Sequence, residues 1–153
     1  MHLATYLGLL CRAEEDLAGG FRQVADGHSG EPDVYHLCKT LAIQCESHTE
    51  RLRPFVDRYG EEVPEEPDRL RMDFFGDGTR EGGIGLLRDL QDLYMMAHEC
   101  DISWTMIGQA AKGANDRGLL ETVEACEGET GRQIKWISTR MKQAAPQALL
   151  VSS

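Results

Sequence analysis

The chain has 153 residues, a formal net charge of −10, 41% hydrophobic residues and 27% charged residues. Because domains cluster near about 100–150 residues, this composition predicts one globular domain over residues 1–153. Its acidity argues against nucleic acid and anionic membranes as partners. Without a targeting signal or a membrane-length apolar run, we expect a cytoplasmic protein, and its five cysteines are expected to be reduced thiols.

The first two predicted helices are joined by a short turn. Apolar residues spaced three and four apart predict a helix over residues 3–26, which Gly27 ends. Pro32 suits the first turn of a second helix over residues 32–59. Pro54 lies inside that helix and is expected to kink it, because proline lacks a backbone donor.

Residues 60–83 are predicted to be a long connection rich in glycine, proline and acidic residues. One helical turn is expected at residues 68–72, and Phe74 and Phe75 are expected to hold the connection against the helices. Fully extended, such a segment spans roughly 80 Å, enough to return along a helix bundle.

The third predicted helix covers residues 84–114, and the fourth covers residues 119–143 and ends before Pro146. The fold class is therefore all-α. Two short turns and one long link favour a four-helix bundle with a crossover between the second and third helices. An up-down-up-down bundle with a loose loop is the alternative.

Residues of the metal-ligand type interrupt three of the apolar stripes. Glu14 lies in the first stripe, Cys45 and His48 lie in the second, and Glu127 lies in the fourth, which is predicted to run from Leu120 to Met141. Burying a polar group without a partner costs about 2–7 kcal/mol. These side chains therefore need partners, and a metal ion is one candidate.

This pattern resembles the ferritin-like superfamily, in which two helices each give a Glu and two give Glu-x-x-His to a two-metal site. Glu14 matches the first Glu. His48 matches the second-helix His, with Cys45 in the place of Glu. Glu127 matches the fourth-helix Glu, with Thr130 in the place of His.

The segment SHTERL at residues 47–52 is similar to the sequence around this His in rubrerythrin-like proteins. The third predicted helix offers Ala97, Cys100 and Trp104 on its stripe and no Glu. Three of six expected ligands are present, so the resemblance implies the fold and argues against di-iron oxidase chemistry. No catalytic residue is predicted.

Two hypotheses about the interior stay open. In the first, Glu14, His48 and Glu127 satisfy one another through charge-assisted hydrogen bonds. The network is then the relic of a former metal site, and no metal or other cofactor is bound. In the second, a single zinc or iron ion is bound by Glu14, Cys45, His48 and Glu127, with Cys100 as a further candidate, in a metal-binding or redox protein related to stress.

The predicted surface carries apolar residues that favour self-association. Met95, Ile102 and Met106 form a strip opposite the core stripe of the third helix, and Trp136 faces outward on the fourth. Together they predict a C2 homodimer, and hence a dimeric structural or interaction protein, with scattered surface hydrophobic residues as the alternative. Three further histidines are expected to be ordinary polar positions, namely His2, His28 and His36.

Overall fold

The computed structural model describes residues 2–60 and 72–151, and these form an all-α four-helix bundle without a strand among them. The helices are α1 (Leu3–Gly27), α2 (Pro32–Tyr59), α3 (Gly82–Gly113) and α4 (Arg117–Leu150). The predicted fold class is thereby confirmed. None of the helices in the described part is long and apolar enough to cross a membrane.

The helix ends agree with the sequence patterns except at the end of α4. The prediction that this helix stops before Pro146 was wrong, because α4 continues through Pro146 to Leu150. Proline deprives the carbonyl four residues earlier of its usual donor. That carbonyl belongs to Lys142, which is exposed, so water can replace the missing donor.

The connection between α2 and α3 joins opposite ends of the bundle. At the end of α2, the Tyr59 hydroxyl donates to Asp116 at the start of α4. At the start of α3, Arg80 and His28 meet at Asp89, beside the end of α1. Helices α2 and α3 are therefore parallel, and the connection between them is a long crossover. The turn expected at residues 68–72 lies outside the described residues, apart from Met72, which is not helical.

Phe75 holds the described end of the crossover against α1 and α3. Its side chain is 1% exposed, whereas Phe74 is 38% exposed and does not share this role. The ring lies over Gly20, where an added Cβ would come within 3.0 Å of Phe75 and 3.2 Å of Leu93. The absence of a side chain at Gly20 is what lets the connection pack this closely.

The core lies between the four helices and is predominantly apolar. Its largest fully buried members include Trp104, Phe21, Phe75, Leu7, Leu10, Leu17, Leu52, Leu90, Leu93, Ile107 and Leu119. Two ionisable side chains, Glu14 and His48, are fully buried at mid-length within this core. They form the centre of the candidate site.

Candidate functional site

Glu14 of α1 and His48 of α2 face each other in the middle of the bundle. Glu14 lies four residues after Leu10 and three before Leu17, on the face of α1 that points inward. The Nδ1 atom of His48 is 3.1 Å from Oε1 of Glu14. The structure thus brings together two of the residues that the sequence pattern singled out.

The second acidic partner of His48 is Glu129, and the expected contact with Glu127 was wrong. His48 Nε2 is 3.0 Å from Oε1 of Glu129. The Glu127 carboxylate accepts a hydrogen bond from the Thr105 hydroxyl of α3 at 3.0 Å. Residues two apart on a helix point in nearly opposite directions, so Glu127 and Glu129 serve different neighbouring helices.

Glu127 was predicted in place of Glu129 because the buried face of α4 differs from the predicted stripe. The buried residues are Leu119, Val123, Cys126, Thr130, Gln133 and Ile137. These also follow the three-and-four spacing, so the sequence contains a signal for this face. On it, Gln133 is buried and Glu129 lies one turn before it, whereas Glu127 lies at the edge.

Both ring nitrogens of His48 lie opposite carboxylates, which determines the charge of the ring. With both carboxylates ionised, both contacts are hydrogen bonds only if each ring nitrogen carries a proton, so this geometry favours the imidazolium form of His48. Burial lowers the pKa of His48, but hydrogen bonds and charge from Glu14 and Glu129 outweigh it and place the pKa above the ordinary value of 6.5. Arg51 lies 3.7 Å from Glu129 and adds a second positive charge.

Glu14 is also bound by α3. The Trp104 indole N–H donates to Glu14 Oε1 at 3.1 Å, and the Trp104 ring packs edge-on against His48 with 5.8 Å between centroids. Oε2 of Glu14 is buried and has no hydrogen-bond partner among the described residues. Burial, reinforced by the charge of Glu14, raises the pKa of the Cys45 and Cys100 thiols well above the usual range. Both cysteines are therefore neutral.

Amide side chains continue the network along the seam between α2 and α4. Gln44 donates to Glu129 Oε2 at 3.0 Å, and Gln133 donates to Gln44 Oε1 at 2.7 Å. The Cys45 thiol lies 3.8 Å from the oxygen of the same Gln133. Sequence reasoning missed both glutamines, because nothing in a single sequence shows which residues of α2 and α4 meet.

The residues present do not fit a di-iron centre. A ferritin-like di-iron site needs carboxylates that bridge the two metals and histidines that bind them. Thr130 stands where one of these histidines is expected, and its hydroxyl donates to the Cys126 carbonyl at 3.0 Å. Within residues 2–60 and 72–151, no group of three or more His, Cys, Asp or Glu side chains is arranged to hold a metal ion.

A second buried ionic cluster fastens the crossover to α1 and α3. Asp89 is fully buried and lies 2.7 Å from His28 Nε2. The Arg80 backbone N–H and guanidinium donate to Asp89 at 3.0 and 2.6 Å, and the guanidinium also donates to Asp92 at 2.8 Å. The expectation that His28 is an ordinary polar position was wrong, because the crossover and α3 enclose it.

The apolar surface residues fall on two sides of the bundle. Met95, Ile102 and Met106 are 41%, 58% and 44% exposed and border a groove between α1 and α3. Trp136 is half-buried against the core. It lies three residues after Gln133, on the side of α4 that faces α2, and so is separated from the α3 strip.

Comparison of the chain with protein-family models, curated proteins and solved structures gives no match. The class defined by the structure is an all-α four-helix bundle, which is compatible with a ferritin-like fold. Membership of that superfamily stays a prediction. The geometry of the chain itself is therefore the basis for its proposed function.

Proposed function

We propose that the protein is a ferritin-like bundle without ferroxidase activity that acts as a dimeric structural or interaction protein. The observation that carries this proposal is the pairing of both His48 ring nitrogens with Glu14 and Glu129. A histidine that binds a metal uses a nitrogen lone pair, and an imidazolium has none. The imidazolium instead supplies the positive charge that a metal ion would supply between carboxylates.

The interior network has a structural role in this proposal. Through His48, the side chains of Glu14 and Glu129 connect α1, α2 and α4, and Trp104 adds α3. An unpaired buried charge is costly, so the network disfavours any helix register in which these groups fail to meet. It specifies one packing of the bundle, on which an outer surface can be presented reproducibly.

Metal analysis tests the interior part of the proposal. Protein purified without chelators is expected to contain no stoichiometric zinc, iron or manganese, and added metal is expected to leave its melting temperature unchanged. A stoichiometric metal that is lost in a His48→Ala variant would overturn this part. Glu127→Gln is the matched control, because Glu127 lies outside the network.

The interaction surface is the strip of Met95, Ile102 and Met106. Exposed apolar residues along one helix form a continuous contact surface, and a C2 dimer would cover the same strip on both copies. Light scattering is expected to give the mass of a dimer for the unaltered chain and of a monomer for Met106→Glu. Ile43→Glu is the control, because Ile43 is 60% exposed on α2. A monomeric unaltered chain would overturn the dimer.

One observation favours a second candidate function, the binding of a single zinc or iron ion. Glu14 Oε2 is buried without a hydrogen-bond partner in the described part of the chain, and its charge acts on the neighbouring Cys45 and Cys100. Thiolate and carboxylate ligands suit these metals. Binding would have to remove thiol protons, so proton release on adding zinc is the distinguishing measurement.

A further inference from the structure

The groove between α1 and α3 continues into a second groove to form one trough. The first has a volume of about 480 Å³ and the second about 190 Å³, and both are lined by Tyr6 and Met106. Their α3 lining extends from Tyr94 to Ala110, a rise of about 24 Å along the helix axis. The combined space is in the range of ligand sites, typically about 300–1,000 Å³.

The trough has an acidic part and an apolar end. Glu99 lines the larger groove, and Met72 donates a backbone hydrogen bond to it. Burial, with the charge of Asp16 as a second cause, raises the pKa of the Glu99 carboxyl to about 7. The smaller groove is lined mainly by apolar side chains, together with His2, and none of the described residues in its lining is acidic.

We propose that this trough binds a cationic amphiphile, with a protonated amine against Glu99 and an aliphatic chain extending past Met106 toward Ala110. Charge complementarity selects the head group, because an amine compensates a carboxylate that is partly removed from water, whereas an anionic head group is repelled by Glu99 and Asp16. Methionine side chains adapt to an aliphatic chain, and Met72, Met95 and Met106 all line the trough.

The proposed binding site does not require the homodimer. Met95, Ile102 and Met106 line the trough and also form the strip proposed for self-association, so a second copy and an amphiphile would contact the same side chains. Ligand binding and dimer formation are measured separately on the same sample.

Calorimetric titration of the full chain with n-dodecylamine, n-dodecanoate and n-dodecanol tests the head-group preference. Near pH 8 the amine is protonated, since alkylammonium groups titrate near 10. One dodecylamine per chain is expected, bound at least about tenfold more tightly than dodecanoate. Glu99→Gln is expected to weaken dodecylamine binding by about tenfold without weakening dodecanol binding, and Glu127→Gln is expected to change neither.

A second variant tests the direction of the chain. Ala110→Phe partly fills the apolar end and is expected to weaken dodecylamine binding while leaving n-hexylamine binding unchanged. The proposal would be overturned if the three dodecyl compounds bound with equal affinity and Glu99→Gln left these affinities unchanged. The absence of any binding would also overturn it. Light scattering on the same samples separates the two proposals, because amine binding to a monomer would reject only the homodimer.

Discussion

Trp104 of α3 donates its indole N–H to Oε1 of Glu14, the same carboxylate oxygen that lies opposite Nδ1 of His48. One oxygen atom of α1 thus connects to α2 and α3, and His48 extends the network to Glu129 of α4. All four helices therefore meet through a chain of polar contacts inside an apolar core. Its members form a coupled set, so removing one affects the others.

The stability of the bundle is expected to depend strongly on His48. His48→Ala leaves two carboxylates facing each other without the positive charge between them, which should lower the free energy of unfolding by about 3–5 kcal/mol. Urea denaturation is the measurement. Glu127→Gln removes a carboxylate whose partner lies near the surface, and its effect should stay within about 0.5 kcal/mol. Similar effects for the two variants would contradict the network.

The His48 contribution should also depend on pH. Because the pKa of His48 is raised above 6.5 in the folded chain, the folded chain binds the His48 proton more tightly than the unfolded chain does. The resulting stability is fully present below the unfolded pKa and is lost as pH rises through the folded pKa. The stability difference between the unaltered chain and His48→Gln should therefore shrink on going from mildly acidic to alkaline pH. A difference that is constant with pH would contradict a charged His48.

Asp89 is expected to hold the crossover in place. Asp89→Asn leaves Arg80 and His28 without their buried carboxylate and should lower the free energy of unfolding by about 3–5 kcal/mol. It should also speed trypsin cleavage after Arg80, which mass spectrometry identifies. Asp77→Asn is the control, because Asp77 is exposed on the same segment. Unchanged cleavage in Asp89→Asn would show that other contacts hold this end of the crossover.

Helical periodicity was sufficient to predict the four helices and the burial of Glu14 and His48, because an interrupted apolar stripe places its polar member in the core. The helix register that brings these two side chains into contact is visible only in the structure. It did not decide between Glu127 and Glu129, since α4 contains two overlapping stripes and only the neighbouring helices select one. The end of α4 was predicted wrongly because proline usually ends a helix. Here the carbonyl that loses its donor to Pro146 is exposed, so the helix can continue. The pairing of His28 with Asp89 joins residues far apart in sequence, which local patterns do not show.

Two adjacent glycines in α1 provide a matched test of how tightly the crossover packs. Replacing glycine by alanine inside a helix normally stabilises it by about 0.5–1 kcal/mol. Gly19 has no atom within 4 Å of an added Cβ, so Gly19→Ala should show this gain. At Gly20 the added Cβ would lie 3.0 Å from the Phe75 ring and 3.2 Å from Leu93, so overpacking should remove the gain and cost about 1–3 kcal/mol.

Shortening the opposing side chain completes this test. Phe75→Leu on its own should destabilise the chain, because Phe75 is 1% exposed. If the two residues are in direct contact, Gly20→Ala should cost less in the Phe75→Leu background than in the unaltered chain, giving a coupling energy of about 0.5–3 kcal/mol in a double-mutant cycle. Gly19→Ala should show no coupling to Phe75. Additive effects at Gly20 would mean that the crossover does not pack against α1 at this position.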